Sequence, residues 1–192
     1  MMKELALHVL DIAENSVRGE ANRIEIRIRE DLVRDLFVLD IDDNGKGIAP
    51  DMLKSIKNPF TTTRTNRKVG MGIPFLNDTC EMCDGHLSIE SEVGAGTKVH
   101  AEMRYSHIDR PPLGDVSATM VNLFSSYPEI HFFYTHTYAD ENGERVFDLS
   151  TDDLNEILDG IPLTTPSVYL WVRDFMKDNV AALKFPEDES GQ

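Results

Sequence analysis

At 192 residues the chain is long enough for one substantial core, or for one domain with an extension. Its 41% hydrophobic and 28% charged content is ordinary for a globular protein, and a formal net charge of −15 works against a nucleic-acid-binding surface, which needs clustered cations. No apolar run approaches the roughly 20 residues of a membrane span, and no secretory h-region follows Met1-Met2-Lys3-Glu4, so the chain reads as cytoplasmic.

The first predicted element is an amphipathic helix over residues 3–18. Ala6, Leu10, Ala13 and Val17 make one apolar stripe, flanked by Leu5, Val9 and Ile12. Glu4, His8, Asp11, Asn15 and Arg18 share the opposite face. That face is either a solvated surface or a carboxylate, an amide oxygen and a cation poised for hydrated Mg²⁺ and phosphate; spacing alone leaves the two readings even.

Two strands are predicted next, over residues 23–30 and 36–43, with Ile24, Ile26 and Ile28 on one face of the first and Phe37, Leu39 and Ile41 on one face of the second. Continuing the second alternation puts Asp43 on the core side, where a carboxylate needs donors. An adenine exocyclic amine is such a donor, and Gly45 and Gly47 allow close approach to a flat base. A plain strand-end turn accounts for the glycines but not for the parity of Asp43. Val99, Ala101 and Met103 define another strand whose buried parity includes Thr97, preceded by Gly94 and Gly96.

Between these strands, residues 58–72 are polar and Thr-rich, carry Arg64, Arg67 and Lys68, and enter a helix through Gly70 and Gly72. This reads as a lid over a triphosphate, against the plainer reading of an exposed loop. Cys80 and Cys83 form a C-x-x-C pair with no second pair for a zinc site. They fall in a helix predicted over 73–84 and read as reduced structural cysteines.

Taken in order, Asp11-Ile-Ala-Glu-Asn15-Ser16, Asp43-x-Gly45-x-Gly47, Asn58-Pro-Phe60-Thr-Thr-Thr-Arg64, Gly70-x-Gly72-Ile73 and Gly94-Ala-Gly96-Thr97 resemble the N, G1, F-like and G2 boxes of the GHKL superfamily. This is the ATP-binding domain of gyrase, heat-shock chaperones, histidine kinases and mismatch-repair ATPases. The resemblance spans residues 1 to about 104. It implies an α/β two-layer sandwich, with a mixed sheet covered by helices on one face, and Mg-ATP under a lid. It assigns Asn15 to Mg²⁺, Asp43 to the adenine amine with Thr97 in support, and Gly70 and Gly72 to the phosphates, with Arg18 assisting. Phe60, Arg64 and Lys68 join the nucleotide-binding set through the lid. The segment around residues 58–73 looks like the histidine-kinase and anti-sigma-factor branch, the N-box more like the mismatch-repair branch. Hydrolysing members place a Glu four residues before the Asn as general base; this chain has Asp11 there, one methylene shorter. His8 reads as a neighbour of the Mg²⁺ or as solvated, not as a phospho-acceptor, so kinase activity would act on another polypeptide.

After residue 105 an α+β extension is expected to about residue 185. It comprises a helix over 115–126, a hairpin over 129–149 turning at Asp140-Glu-Asn-Gly143, a helix opened by the capping signature Ser150-Thr-Asp-Asp153, and a helix over 167–183. Residues 186–192 read as a disordered tail. The apolar residues of the extension either pack on the ATP domain or form a docking surface. The leading expectation is a stand-alone Mg-ATP-binding domain that phosphorylates or regulates a partner protein, with room for a homodimer. The rivals are an ATP hydrolase using Asp11 and a non-catalytic ATP sensor.

Overall fold

The computed structural model describes residues 2–56 and 72–185. Expectations for Phe60, Arg64, Arg67, Lys68, Gly70, the lid and the tail fall outside these residues. In chain order the elements are α1 (Leu5–Arg18), β1 (Arg23–Asp31), β2 (Leu36–Asp43), α2 (Pro50–Ile56), α3 (Gly72–Met82), β3 (His86–Glu92), β4 (Gly96–Arg104), α4 (Val116–Ser126), β5 (His131–Asp140), β6 (Gly143–Ser150), α5 (Thr151–Leu158) and α6 (Pro166–Lys184).

The strands form one six-stranded sheet in the order β3-β4-β2-β1-β5-β6. It is mixed: β1 and β5 run parallel, and the other neighbours are antiparallel. Period-two alternation sends Ile24, Ile26, Ile28, Phe37, Leu39, Ile41, Ala101 and Met103 to one face, each at most 1% exposed. The helices bury their apolar sides in the same continuous core. The opposite face is charged and paired across strands, as in Arg27–Asp42 at 2.6 Å and Arg29–Glu144 at 2.8 Å.

The C-terminal hairpin does not form a separate layer. β5 pairs with β1 along its whole length, from Arg23↔His131 to Asp31↔Ala139, so the sheet continues past residue 104 without a break. The connection from β4 crosses through α4, which packs beside α1. That crossover also supplies a cap. Glu4 gives α1 no side-chain cap, and the first amides of the helix instead donate to main-chain carbonyls, Leu5 to Pro112 and Ala6 to Leu113, each at 2.9 Å. Downstream, Ser150 and Asp153 close the expected capping box at the start of α5.

Packing on both α3 and α4 as well as the sheet rotates α1 relative to a simple stripe. Leu10 and Val17 are only partly buried, whereas His8 and Ser16 face the interior. His8 is therefore not solvated: it is fully buried, and by distance and angle neither ring nitrogen makes a hydrogen bond among the described residues. Burial lowers its pKa, against the opposing influence of the Gly72 backbone and the Asp11 charge.

A second buried polar group ties the extension to the sheet. Glu30, 2% exposed on β1, receives His136 Nε2 from β5 at 3.0 Å, Lys184 Nζ from α6 at 2.9 Å and the Tyr105 hydroxyl at 3.2 Å. Tyr134 Oη lies 2.8 Å from the other His136 nitrogen and completes the network. Burial alone would raise the Glu30 pKa, but the bonds from His136 and Lys184 outweigh it and hold the carboxyl at about 2.

Candidate functional site

Among the described residues, the motifs at 11–16, 43–47 and 94–97 meet at one end of the sheet, where β2 finishes and β4 begins beside α1. Asp43 is the last residue of β2 and the register partner of both Ile24 and Thr97. Its Oδ1 accepts the Gly45 amide at 2.9 Å and the Thr97 amide at 3.2 Å, and its Oδ2 accepts the Ser16 hydroxyl at 2.6 Å. Three donors from three separate elements thus fix one half-buried carboxylate.

Thr97 supports Asp43 through its main-chain amide. Its hydroxyl turns instead to Ser91 Oγ on β3, at 2.9 Å. Ser91 also accepts the Ile48 amide at 2.9 Å and lies 2.8 Å from the Gly96 carbonyl. This second node locks the loop carrying Gly45 and Gly47 to the start of β4. Gly47 needs its glycine on two grounds: φ is 67°, and a Cβ there would overlap the Glu92 carbonyl. Gly45 packs against the Gly19 carbonyl, just past α1.

One turn apart on α1, Asn15 and Asp11 are joined side chain to side chain. The Asn15 amide nitrogen donates to Asp11 Oδ2 at 3.3 Å, which leaves the amide oxygen directed away from the carboxylate. A carboxylate and an amide oxygen at this spacing are hard oxygen donors of the kind Mg²⁺ takes while keeping several waters, so the residues fit that ion. Asp11 also abuts the start of α3. A Cβ on Gly72 would overlap the Asp11 carboxylate, so the glycine allows helix and carboxylate to touch.

A prediction follows from that contact. Gly72→Ala should cost about 1–3 kcal/mol in urea unfolding, as overpacking does. Combined with Asp11→Ala, which removes the obstructing atoms, it should cost less than the two single changes summed. Strict additivity would mean that the contact does not set the requirement for glycine.

Arg18 stands apart from this set. It lies in the last turn of α1, its side chain is 57% exposed, and it bonds back to Glu14 at 3.1 Å through the carbonyl and 3.6 Å through the carboxylate. Its neighbour across the gap is Lys46, whose Nζ is 3.4 Å from the Arg18 carbonyl. Among the described residues, then, the structure gathers Asn15 with Asp11 and Gly72, and Asp43 with Gly45 and Thr97. It places Gly47 on the adjoining loop and Arg18 at the rim.

Ser16 and Ser91 are the members that sequence reasoning did not single out. Ser16 could have been found, since it sits one residue past Asn15 on the inward side of the helix. Ser91 carries no signal, because a serine in an edge strand is common. Cys80 and Cys83 are both buried and unpaired. Burial, and next the neighbouring Cys83, push the Cys80 thiol up to about 12, which leaves it a poor nucleophile and a poor ligand.

Residues 3–107, more than half of the chain, match the family described as "Histidine kinase-, DNA gyrase B-, and HSP90-like ATPase". Among curated proteins, the chain is 30% identical over 91 residues to sporulation kinase D of Bacillus subtilis, covering 47% of this chain and 18% of that one. It is 31% identical over 78 residues to the sensor histidine kinase ZraS of Salmonella typhimurium, covering 41% and 16%. The chain thus matches less than a fifth of the length of these relatives. Among solved structures, the N-terminal domain of a DNA repair protein superposes with a TM-score of 0.54 at 16% identity, covering 78% of this chain and 53% of that one, a likeness of fold. Motif order, the mixed sheet with its helices on one face and the matched segment agree: the chain belongs to the histidine kinase-, DNA gyrase B-, and HSP90-like ATPase family.

Proposed function

We propose that the chain binds Mg-ATP at the Asp43 end of the sheet and uses it to phosphorylate or regulate a partner protein. The observation that carries this reading is the triple anchoring of Asp43. A carboxylate held by Ser16, Gly45 and Thr97 at the mouth of a core is a rigid acceptor, matched to an adenine amine. The Asp11–Asn15 pair supports a place for Mg²⁺ some way along the same helix, where the ion would offset phosphate charge. Phosphoryl transfer asks mainly for positioning and charge neutralisation, so no further constellation is needed on this chain once an acceptor docks.

The partner is supported by similarity to proteins named as a sporulation kinase and a sensor histidine kinase. Among the described residues no helix is long and apolar enough to cross a membrane. Two buried, unpaired thiols suit a reducing compartment, and we place the chain in the cytoplasm.

A second reading rests on Asp11. Its carboxylate stands beside Asn15, where a general base for an attacking water would be, and this favours an ATP hydrolase. The test is phosphate release at saturating Mg-ATP by the wild type and by Asp11→Ala, with ATP affinity measured on both. Binding without turnover supports transfer or regulation. Turnover that falls about 100-fold or more in the variant supports hydrolysis with an aspartate base. Absence of ATP binding by the wild type sinks both.

A further inference from the structure

The outward face of the sheet, away from the nucleotide end and the helices, pairs several of its carboxylates with arginine: Glu25 with Arg23 and Arg27, Asp42 with Arg27, Asp31 with Arg29. One patch departs from this pattern. At the β3–β4–β2 side, Asp40 and Glu102 find their ion-pair partner among the described residues in the His100 imidazole, and a second imidazole, His86, stands beside it.

Register explains the grouping. His86 on β3 is directly opposite Glu102 on β4, while His100, two residues before Glu102 and on the same face, is opposite Asp40 on β2. One ligand atom each from His86, His100 and Glu102 lies within 4.8 Å of the other two. His100 Nε2 and Glu102 Oε2 are 3.7 Å apart, too far for a hydrogen bond. Two ligands about 2.1 Å from a tetrahedral ion lie about 3.4 Å from each other, close to that separation.

Asp40 gives the arrangement its direction. His100 Nδ1 is 2.7 Å from Asp40 Oδ1, and since a carboxylate only accepts, that nitrogen carries the proton. With Nδ1 so engaged, Nε2 is the nitrogen left for an ion, and it stands 3.7 Å from Glu102 Oε2. A carboxylate that orients a histidine through its far nitrogen is the usual support of a metal-bound imidazole.

We propose that His86, His100 and Glu102 form a binding site for a divalent transition-metal ion of the Zn²⁺ class, with Asp40 orienting His100. Two imidazoles and a carboxylate suit borderline ions and not Mg²⁺, which takes oxygen ligands. Three protein ligands on an open sheet face leave at least one coordination position for water. The site shares no residue with the nucleotide site, so it does not depend on the function proposed above.

The test uses the full chain, stripped with chelator and free of nucleotide. Zn²⁺ is titrated calorimetrically, and Co²⁺ is followed by its absorption. One ion per chain is expected, with d–d bands and no thiolate charge-transfer band. His86→Ala and Glu102→Gln should each weaken binding at least about tenfold, and Asp40→Asn about 10–100-fold. All three lie on a solvent-facing surface, and circular dichroism checks that they fold. ATP affinity should be the same in His86→Ala as in the wild type. Failure of the wild type to bind one equivalent, unchanged affinity in His86→Ala and Glu102→Gln, or a thiolate band placing the ion at Cys80 and Cys83 would each overturn the site.

Discussion

Asp43→Asn is expected to weaken ATP and ADP at least about 100-fold while leaving the fold intact. The asparagine oxygen can take the place of Oδ1 and keep the amides of Gly45 and Thr97, at 2.9 and 3.2 Å. Its NH₂ group then faces the Ser16 hydroxyl, which can accept from it and give its own proton to the Ile12 carbonyl, 3.3 Å away. The local network therefore survives the change. The adenine amine does not find what it needs, because a donor would now confront a donor. Sites built around a buried hydrogen bond discriminate strongly when the partner is wrong, by orders of magnitude. Calorimetric titration with ADP, beside thermal unfolding of both proteins, decides it. Retained affinity with a normal melting temperature would place the base elsewhere.

Glu30→Ala should be the most destabilising single change in the chain's polar interior, costing about 3–5 kcal/mol, the scale for removing one member of a buried pair. The alanine would leave His136 Nε2 and Lys184 Nζ facing an apolar methyl, and it would remove the ion pair between α6 and β1. Urea unfolding at pH 7 reads the loss directly, and a cost under about 1 kcal/mol would show the network to be incidental. Glu30→Gln carries the matching pH signature. In the folded chain the carboxyl ionises at about 2, below its ordinary 4.5, so the unfolded chain takes up the proton first as pH falls. Its contribution is complete above 4.5, declines through the interval down to about 2 and is absent below it; a gap of that size corresponds to about 3 kcal/mol. The wild type should lose more stability than Glu30→Gln across that interval. Parallel pH profiles would contradict the assignment.

Much of the fold was legible because its alternations are clean. Ile24, Ile26, Ile28, Phe37, Leu39 and Ile41 mark two strands with one inward face, and Ser150 with Asp153 marks a helix start. Parity placed Asp43 inward, and the structure has it partly buried with three donors around it. Alternation does not say which strand lies next to which, so the parallel pairing of β5 with β1 had no local signature. β3 escaped notice because its inward side offers only Leu87 and Ile89, and α2 because it is 7 residues long. The orientation of α1 could not be read from its own residues. What turned His8 and Ser16 inward was the presence of α3 and α4 on its flanks. In the candidate site, the side chains proposed to meet the nucleotide were visible as motifs. Their supports, Ser91 and the Thr97 amide, were not, because a main-chain donor leaves no mark in a sequence.

The seam between β1 and β5 has a consequence for how the protein can be dissected. Nine residues of β1 rely on β5 for one entire row of main-chain partners. A fragment ending at residue 104 would turn that strand into a sheet margin of open donors and acceptors, with isoleucines at alternate positions, a template for other chains to add to. It would also strip the first amides of α1 of the carbonyls at Pro112 and Leu113. The hairpin and its crossover therefore act as a selvedge, finishing a fabric that the matched family segment alone would leave raw.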